Sequence, residues 1–304
     1  MISLAIEECM DIELWKRLEN STKIRDANSR WTLYREQVTE YIIEEIEIGD
    51  TVLILGAGAC NDIDLSKLLP YAKKIILADR DLQGMKQAVQ QYRIPKERIQ
   101  LVQIDFWKIS ACGFEEKLKQ AVTIEELISF LKEETDRVTK EQLIAIQADF
   151  VVNIGLYSQL NAILAGLFYL KRDPYGISER EKMSKMLSYM NQEAVQKVNN
   201  WMLKQYRRGI VGYEYAVFGA EEEEKQRCKQ VQFLLQTGQV ELLKEIPIAR
   251  VEGGWQGESD LARRYREGSI AFRSNRYFIW NFLPEKSYIM QCYAIVSEEV
   301  SPCE

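Results

Sequence analysis

The chain has 304 residues, 46% of them hydrophobic and 28% charged, with 40 basic against 46 acidic side chains and a net charge of −6. That length supports one large α/β domain with insertions, or two domains, and the acidic balance argues against the concentrated basic surface of a general nucleic-acid binder. The chain contains no histidine, which removes Ser-His-Asp and Cys-His nucleophile chemistry and every histidine proton shuttle, so a catalytic base must be Asp, Glu, Tyr, Lys or Cys.

Six cysteines, Cys9, Cys60, Cys112, Cys228, Cys292 and Cys303, lie far apart with no C-x-x-C pair. Neither a metal site nor a disulfide framework is expected, and reduced thiols packed as small apolar groups account for them. No apolar run approaches the roughly 18 residues of a membrane span. The N-terminal residues include Glu7 and Glu8, where a signal peptide carries Lys or Arg. A cytoplasmic protein without membrane contact is expected.

In chain order, residues 3–20 and 28–47 read as helices. In the second, Trp31, Tyr34, Val38, Tyr41, Ile42 and Ile46 recur at helical spacing on one face. Residues 1–48 thus read as an N-terminal helical extension, and residues 49–304 as the main domain. That domain opens with Thr51-Val52-Leu53-Ile54-Leu55 followed by Gly56-Ala57-Gly58-Ala59-Cys60-Asn61-Asp62. A run of apolar β-favouring residues without alternation suits a central parallel strand covered on both faces. The two glycines bring bare backbone close to whatever sits above the strand's carboxyl end.

A second apolar strand ends in Asp79, roughly the 20 residues downstream at which a ribose-binding acid stands in dinucleotide folds. A third strand, residues 99–104, ends in Asp105 followed by Phe106 and Trp107. The G-x-G-x-x-G fingerprint is incomplete, since Asn61 occupies its third glycine place.

These residues together resemble the class I S-adenosylmethionine-dependent methyltransferases, by motif over roughly residues 50–160. The resemblance implies an α/β, doubly wound Rossmann-like sheet, mostly parallel, with a C-terminal antiparallel strand pair. It also implies S-adenosyl-L-methionine as cofactor. Gly56, Ala57 and Gly58 would pack against its methionine part, Asp79 would hold the ribose hydroxyls, with Arg80 beside it, and Asp105 would meet the adenine amine with Phe106 against the ring. Tyr34 or Arg35 would reach the cofactor's carboxylate from the preceding helix, although core packing explains that aromatic stripe equally well. Two positions depart from the family pattern: Ile54 replaces an acid, and Cys60 stands where a glycine is usual. A physical argument supports the cofactor independently, because its ribose diol and adenine amine are donors that want carboxylate acceptors, and it carries no phosphate to require a full anion nest.

Asp62 has two readings, a helix cap or an acceptor for the cofactor's ammonium group. Beyond Asp105, capping-box patterns at Thr123 and Thr139 predict two helices within an insertion at about 112–147, with the charged run 132–140 as a turn between them. The fourth strand ends in Asn153-Ile154-Gly155-Leu156-Tyr157-Ser158. The switch-point rule brings this segment to the same sheet edge as the glycine turn. Asn153 and Tyr157 are therefore the candidate catalytic residues, with Asn153 also a cofactor contact, although Tyr157 as a packing residue explains the pattern as well.

Residues 160–170 and a long segment to 208 read as helices, 209–218 as the fifth strand, 252–258 as a loop, and 269–282 with 286–296 as the antiparallel pair. Tyr213, Trp255, Arg266, Tyr277 and Trp280 either line an acceptor pocket or belong to the core. The expected activity is methyl transfer to a small-molecule or peptide-like acceptor. A nicotinamide-dependent oxidoreductase and a non-catalytic S-adenosylmethionine-binding protein are the alternatives. No metal and no nucleic-acid partner are indicated, and a homo-oligomer stays open.

Overall fold

The structure is a computed structural model and describes residues 14–21, 23–24, 26–120, 123–171 and 175–299. The chain divides into two compact units: a sheet unit of residues 26–105, 143–158 and 195–304, and a helical unit of residues 1–25, 106–142 and 159–194. Of the segment expected as an N-terminal extension, residues 26–48 therefore fall within the sheet unit.

The sheet unit holds seven strands: β1 (Thr51–Leu55), β2 (Lys74–Asp79), β3 (Ile99–Gln103), β4 (Phe150–Ile154), β5 (Arg208–Gly219), β6 (Ile270–Leu283) and β7 (Lys286–Ser297). They lie in the order β3-β2-β1-β4-β5-β7-β6. The first five are parallel, and β7 is antiparallel to both β5 and β6. This is the doubly wound Rossmann-like methyltransferase sheet expected from the sequence, with its C-terminal antiparallel pair.

Side-chain alternation explains why the central strands show no polar face. Val52, Ile54, Ile75, Leu77, Phe150, Val152 and Ile210 share one core, while Leu53, Leu55, Ile76, Ala78, Val151 and Val211 point to the opposite face and are equally buried. The first core is completed by Tyr34, Val38, Tyr41 and Ile42, from the helix Thr32–Glu45 that follows the short helix Ala27–Arg30. Tyr41 pins that longer helix to the antiparallel pair, since its hydroxyl lies 2.7 Å from Ser274 Oγ and accepts the Ala294 N–H at 2.8 Å. The predicted amphipathic helix is thus a structural wall of the sheet.

In the helical unit, α1 (Leu14–Ser21) begins on Glu115, whose two carboxylate oxygens accept the Leu14 and Trp15 N–H groups, each at 3.0 Å. The helices Ala27–Arg30 and Thr32–Glu45 of the sheet unit are α2 and α3, and the sheet unit adds α4 (Leu65–Leu68) and α5 (Leu82–Gln91). Next come α6 (Ala111–Lys119), α7 (Ile124–Lys140), α8 (Ala162–Leu170) and α9 (Ile177–Gln205), whose residues from 195 onward count in the sheet unit. Phe114, Leu127, Leu131, Leu167, Phe168, Met183 and Met190 form the helical unit's core.

Two sequence expectations are corrected here. The capping box at Thr123 is present, with Glu126 reciprocating. At Thr139 there is none: its hydroxyl donates back to the Thr135 carbonyl at 2.9 Å, and α7 runs unbroken through residues 132–140, so that charged run is helix and not a turn. The second correction is residues 252–258, which open α11 (Glu252–Arg266), the helix after α10 (Glu222–Gln236). Its glycines are there for contact. A Cβ on Gly254 would stand 2.0 Å from the Glu214 carbonyl oxygen, and one on Gly257 2.3 Å from the Tyr157 ring. Close approach of helix to strand decides those residues, not chain flexibility.

Among the described residues no helix is long and apolar enough to cross a membrane. Among the described residues Cys60, Cys112, Cys228 and Cys292 form no disulfide, whereas Cys9 and Cys303, like residues 3–13 of the expected first helix, lie outside the described residues.

Candidate active site

The sheet's carboxyl edge begins with the glycine turn after β1. Gly56 and Gly58 adopt left-handed conformations at φ +65° and +47°, which glycine reaches without steric cost. Gly56 N–H donates to the Ala78 carbonyl at 2.8 Å, and a Cβ on Gly56 would come within 3.0 Å of Leu156. Asp79, at the end of β2, clamps the turn: one carboxylate oxygen accepts the Gly58 N–H at 2.9 Å and the other the Asp81 N–H at 2.7 Å. A carboxylate has about four lone-pair sites, so Asp79 keeps acceptor capacity. Ala57 is buried. Cys60 also takes the left-handed conformation, at φ +49°, with its side chain buried.

Asp62 does not cap the following helix. That role falls to Asp64, whose side chain accepts the Ser66 and Lys67 N–H groups at 3.0 and 3.1 Å and so occupies the N-terminus of α4. Burial instead pushes the Asp62 carboxyl up to about 6, against the pull of Arg35 and with a further push from Asp79. The Arg35 guanidinium is tied to the Asn28 and Asn61 carbonyls at 2.7 and 3.0 Å.

The end of β4 and the middle of β5 hold buried polar atoms without a hydrogen-bond partner among the described residues. Asn153 is fully buried, and neither its amide nitrogen nor its oxygen has a hydrogen-bond partner among the described residues. Gly155 follows at φ +72°, a conformation that leaves Glu214 Oε1 3.8 Å from where a Cβ would be. Ser158 Oγ donates to that oxygen at 2.7 Å, while Glu214 Oε2 has no partner and the residue is only 2% exposed. Burial raises the Glu214 carboxyl.

Tyr34 completes this neighbourhood from α3. Its hydroxyl is buried and unpartnered. Burial first, and then Cys292, Asp62 and Glu214, push it above the usual tyrosine range, and burial followed by Glu214 and Asp62 pushes up the Cys292 thiol. Trp280 stacks on Tyr34 with ring centres 5.1 Å apart, and its indole N–H also lacks a partner.

Tyr157 is placed differently from Asn153. Its hydroxyl donates to Asn199 Oδ1; Asn199 in turn donates to Asp260 at 2.9 Å, and Arg264 binds Asp260 at 2.8 Å. The ring lies against Gly257. Burial pushes the hydroxyl far above its ordinary range. Arg80 is exposed, Asp105 half-buried after β3, and Phe106 buried as the first residue of the helical unit. Of the aromatic candidates, Tyr213 and Tyr277 join a ring of hydrogen bonds through Gln291, at 2.9 and 2.6 Å. Trp255 is 53% exposed on α11, and Arg266 is exposed at its end.

Sequence reasoning missed Glu214. The alternation of Val211, Tyr213, Tyr215 and Val217 drew attention to one face of β5; the available signal was an acid on the other face, two residues after Gly212 in a strand buried on both sides. No group of acids and cysteines among the described residues is arranged to hold a metal ion.

No protein-family profile and no curated protein matches the sequence. Among solved structures, the chain is similar to the N-methyltransferase NodS from Bradyrhizobium japonicum in complex with S-adenosyl-L-homocysteine, at 10% identity and a TM-score of 0.41, over 93% of this chain and 98% of that one. A SAM-dependent methyltransferase from Methanosarcina mazei matches at 12% identity and 0.39, over 86% and 98%. The YcgJ protein from Bacillus subtilis matches at 10% and 0.39, over 88% and 100%. All three TM-scores are below 0.5, and the fold rests on the strand order and register given above.

Proposed function

We propose that this protein transfers a methyl group from S-adenosylmethionine to a small-molecule or peptide-like acceptor. The observation that carries the reading is the charge at the glycine turn. Asp62 and Asp79 supply two carboxylates at the turn, Arg35 is the cation that acts on Asp62, and the N-terminus of the next helix is filled by the Asp64 side chain. A dinucleotide places its pyrophosphate at that helix N-terminus, where Asp64 would repel it. A ligand with a sulfonium, an ammonium and a ribose diol fits instead.

In this reading Gly56, Ala57 and Gly58 take the methionine portion, Asp62 its ammonium and Asp79 the ribose hydroxyls. Asp105 takes the adenine amine. When bound, the cofactor supplies an electrophilic methyl group. The chain's part is to align the acceptor and exclude water, which displacement at a methyl carbon needs more than acid–base power; this suits a site without histidine. Asn153 is assigned to orienting the ligands at the end of β4. Tyr157 holds the turn that carries Ser158, through its bond to Asn199.

Thermal melting with S-adenosylmethionine, S-adenosylhomocysteine and NAD tests the assignment. The two sulfur compounds should raise the melting temperature, by the equivalent of about 2.7 kcal/mol at a hundredfold excess over Kd, and NAD should not. A shift with NAD alone would overturn it.

A further inference from the structure

We propose that the acceptor is a primary alkylamine and that Glu214 is the group that receives its ammonium end and takes its proton. The proposal rests on the methyltransferase reading and names the substrate class of the same site. Three observations lead to it. Glu214 is 2% exposed, one oxygen is fixed by Ser158, and the other has no partner. An ionised carboxylate is acceptor-only, so its vacant oxygen calls for a donor. Leaving such a group buried and unsatisfied is destabilising, which a protein retains where a ligand supplies the missing bond.

The surroundings select the donor. A second carboxylate, Asp62, acts electrostatically on Tyr34 and Cys292 as Glu214 does. Arg35 acts on Asp62 and is already bonded to two backbone carbonyls; the cation acting on Glu214 is Lys286, the last of the influences on it. A neutral hydroxyl would leave this negative charge uncompensated, and a carboxylate or phosphate acceptor would be repelled. A cationic amine compensates it.

The chemistry balances without another reactant. The Glu214 carboxylate takes one proton from the bound R–NH3+. The freed lone pair forms the N–CH3 bond as the S–CH3 bond breaks, and the electron pair of that bond remains on sulfur as a thioether. The product leaves as R–NH2+–CH3, and Glu214 returns its proton to solvent. Burial, which favours the neutral carboxylic acid, makes Glu214 a stronger base than an exposed glutamate.

Calorimetric titration separates this proposal from the reading beneath it. S-adenosylhomocysteine is titrated first into the wild type and Glu214→Gln, then butylamine, putrescine and Nα-acetyl-lysine, with 1-butanol as control, into each preformed complex. The expected result is equal affinity of both proteins for S-adenosylhomocysteine, and amine binding in the wild type that Glu214→Gln weakens at least tenfold, with no response to 1-butanol. Glu214→Asp, which keeps the charge, should restore part of the amine affinity. If Glu214→Gln loses S-adenosylhomocysteine tenfold, the carboxylate belongs to the cofactor and the proposal fails. It also fails if the wild-type complex ignores all three amines. If neither protein binds S-adenosylhomocysteine, it is the methyltransferase reading that fails.

Discussion

Replacing Gly254 by alanine puts the account of α11 to a quantitative test. The added Cβ would lie 2.0 Å from the Glu214 carbonyl oxygen and 2.9 Å from its carbonyl carbon. Ordinary contact begins at 3.4 Å, so helix and strand must separate by 3.4 − 2.0 = 1.4 Å at that point. Both clashing atoms are backbone, and no side-chain rotation relieves them. Overpacking of this kind costs about 1–3 kcal/mol, occasionally more, against a gain of about 1 kcal/mol from replacing glycine in a helix interior. A backbone clash this deep belongs at the upper end of that range, so the net expectation is a loss of about 2 kcal/mol, a drop of roughly 4–8 °C in melting temperature at the 2–4 °C per kcal/mol of large domains. Differential scanning calorimetry of Gly254→Ala beside Trp255→Ala, an exposed position on the same helix, supplies assay and control. Trp255→Ala should stay within about 0.5 kcal/mol of wild type. An unchanged or raised melting temperature for Gly254→Ala would show that helix propensity governs the site and that α11 does not press on β5 as described.

Other outcomes follow from the same geometry. Asn153→Leu replaces a fully buried, unpartnered amide with an apolar side chain of similar size. It should raise stability by about 1–3 kcal/mol in urea unfolding while weakening the binding of S-adenosylmethionine; a loss of stability would mean that Asn153 has structural partners. Tyr157→Phe removes the hydroxyl bonded to Asn199 and should cost about 1–3 kcal/mol in the same assay. Asp62 gives a pH dependence: burial raises its carboxyl from 3.8 to about 6, so the native state holds a proton that the unfolded chain has released. Its contribution therefore favours folding increasingly as pH falls from above 6 to below 4, by up to about 3 kcal/mol at 1.36 kcal/mol per pKa unit. Wild type minus Asp62→Asn, measured by urea unfolding from pH 4 to 8, should trace that gain; a flat difference would refute the raised carboxyl. Affinity for a cationic ligand should fall over the same acid range, as Asp62 loses its charge.

The parts of this molecule legible in its sequence are those set by local rules. The buried strand before Gly56 and the acid closing β2 each carry their signal within a few residues, and the parallel order follows from strands separated by helical segments. The Tyr34–Ile46 stripe likewise announced a packed helix. What stayed hidden depends on contacts between distant segments. Three glycines in residues 252–258 resemble a loop because glycine disfavours helix by about 1 kcal/mol per residue; only the nearness of Glu214 and Tyr157 explains why a helix tolerates them. Thr139 imitates a cap because the same hydroxyl serves either an N-terminal amide or a carbonyl one turn back. Glu214 lies in a strand read for its aromatics, and its exceptional feature, an acid with a vacant oxygen, exists only once β4 and α11 have enclosed it.

The most direct test of the central claim is calorimetric titration of wild type and Asp79→Asn with S-adenosylhomocysteine, with NAD as the competing ligand. The account predicts that the wild type binds the sulfur compound and not NAD, and that Asp79→Asn, which exchanges a carboxylate for an amide of the same shape, loses at least tenfold in affinity, about 1.4 kcal/mol, while its melting transition persists. Folded wild-type protein that binds no S-adenosylhomocysteine, or an Asp79→Asn variant that binds it as tightly as wild type, would contradict the account.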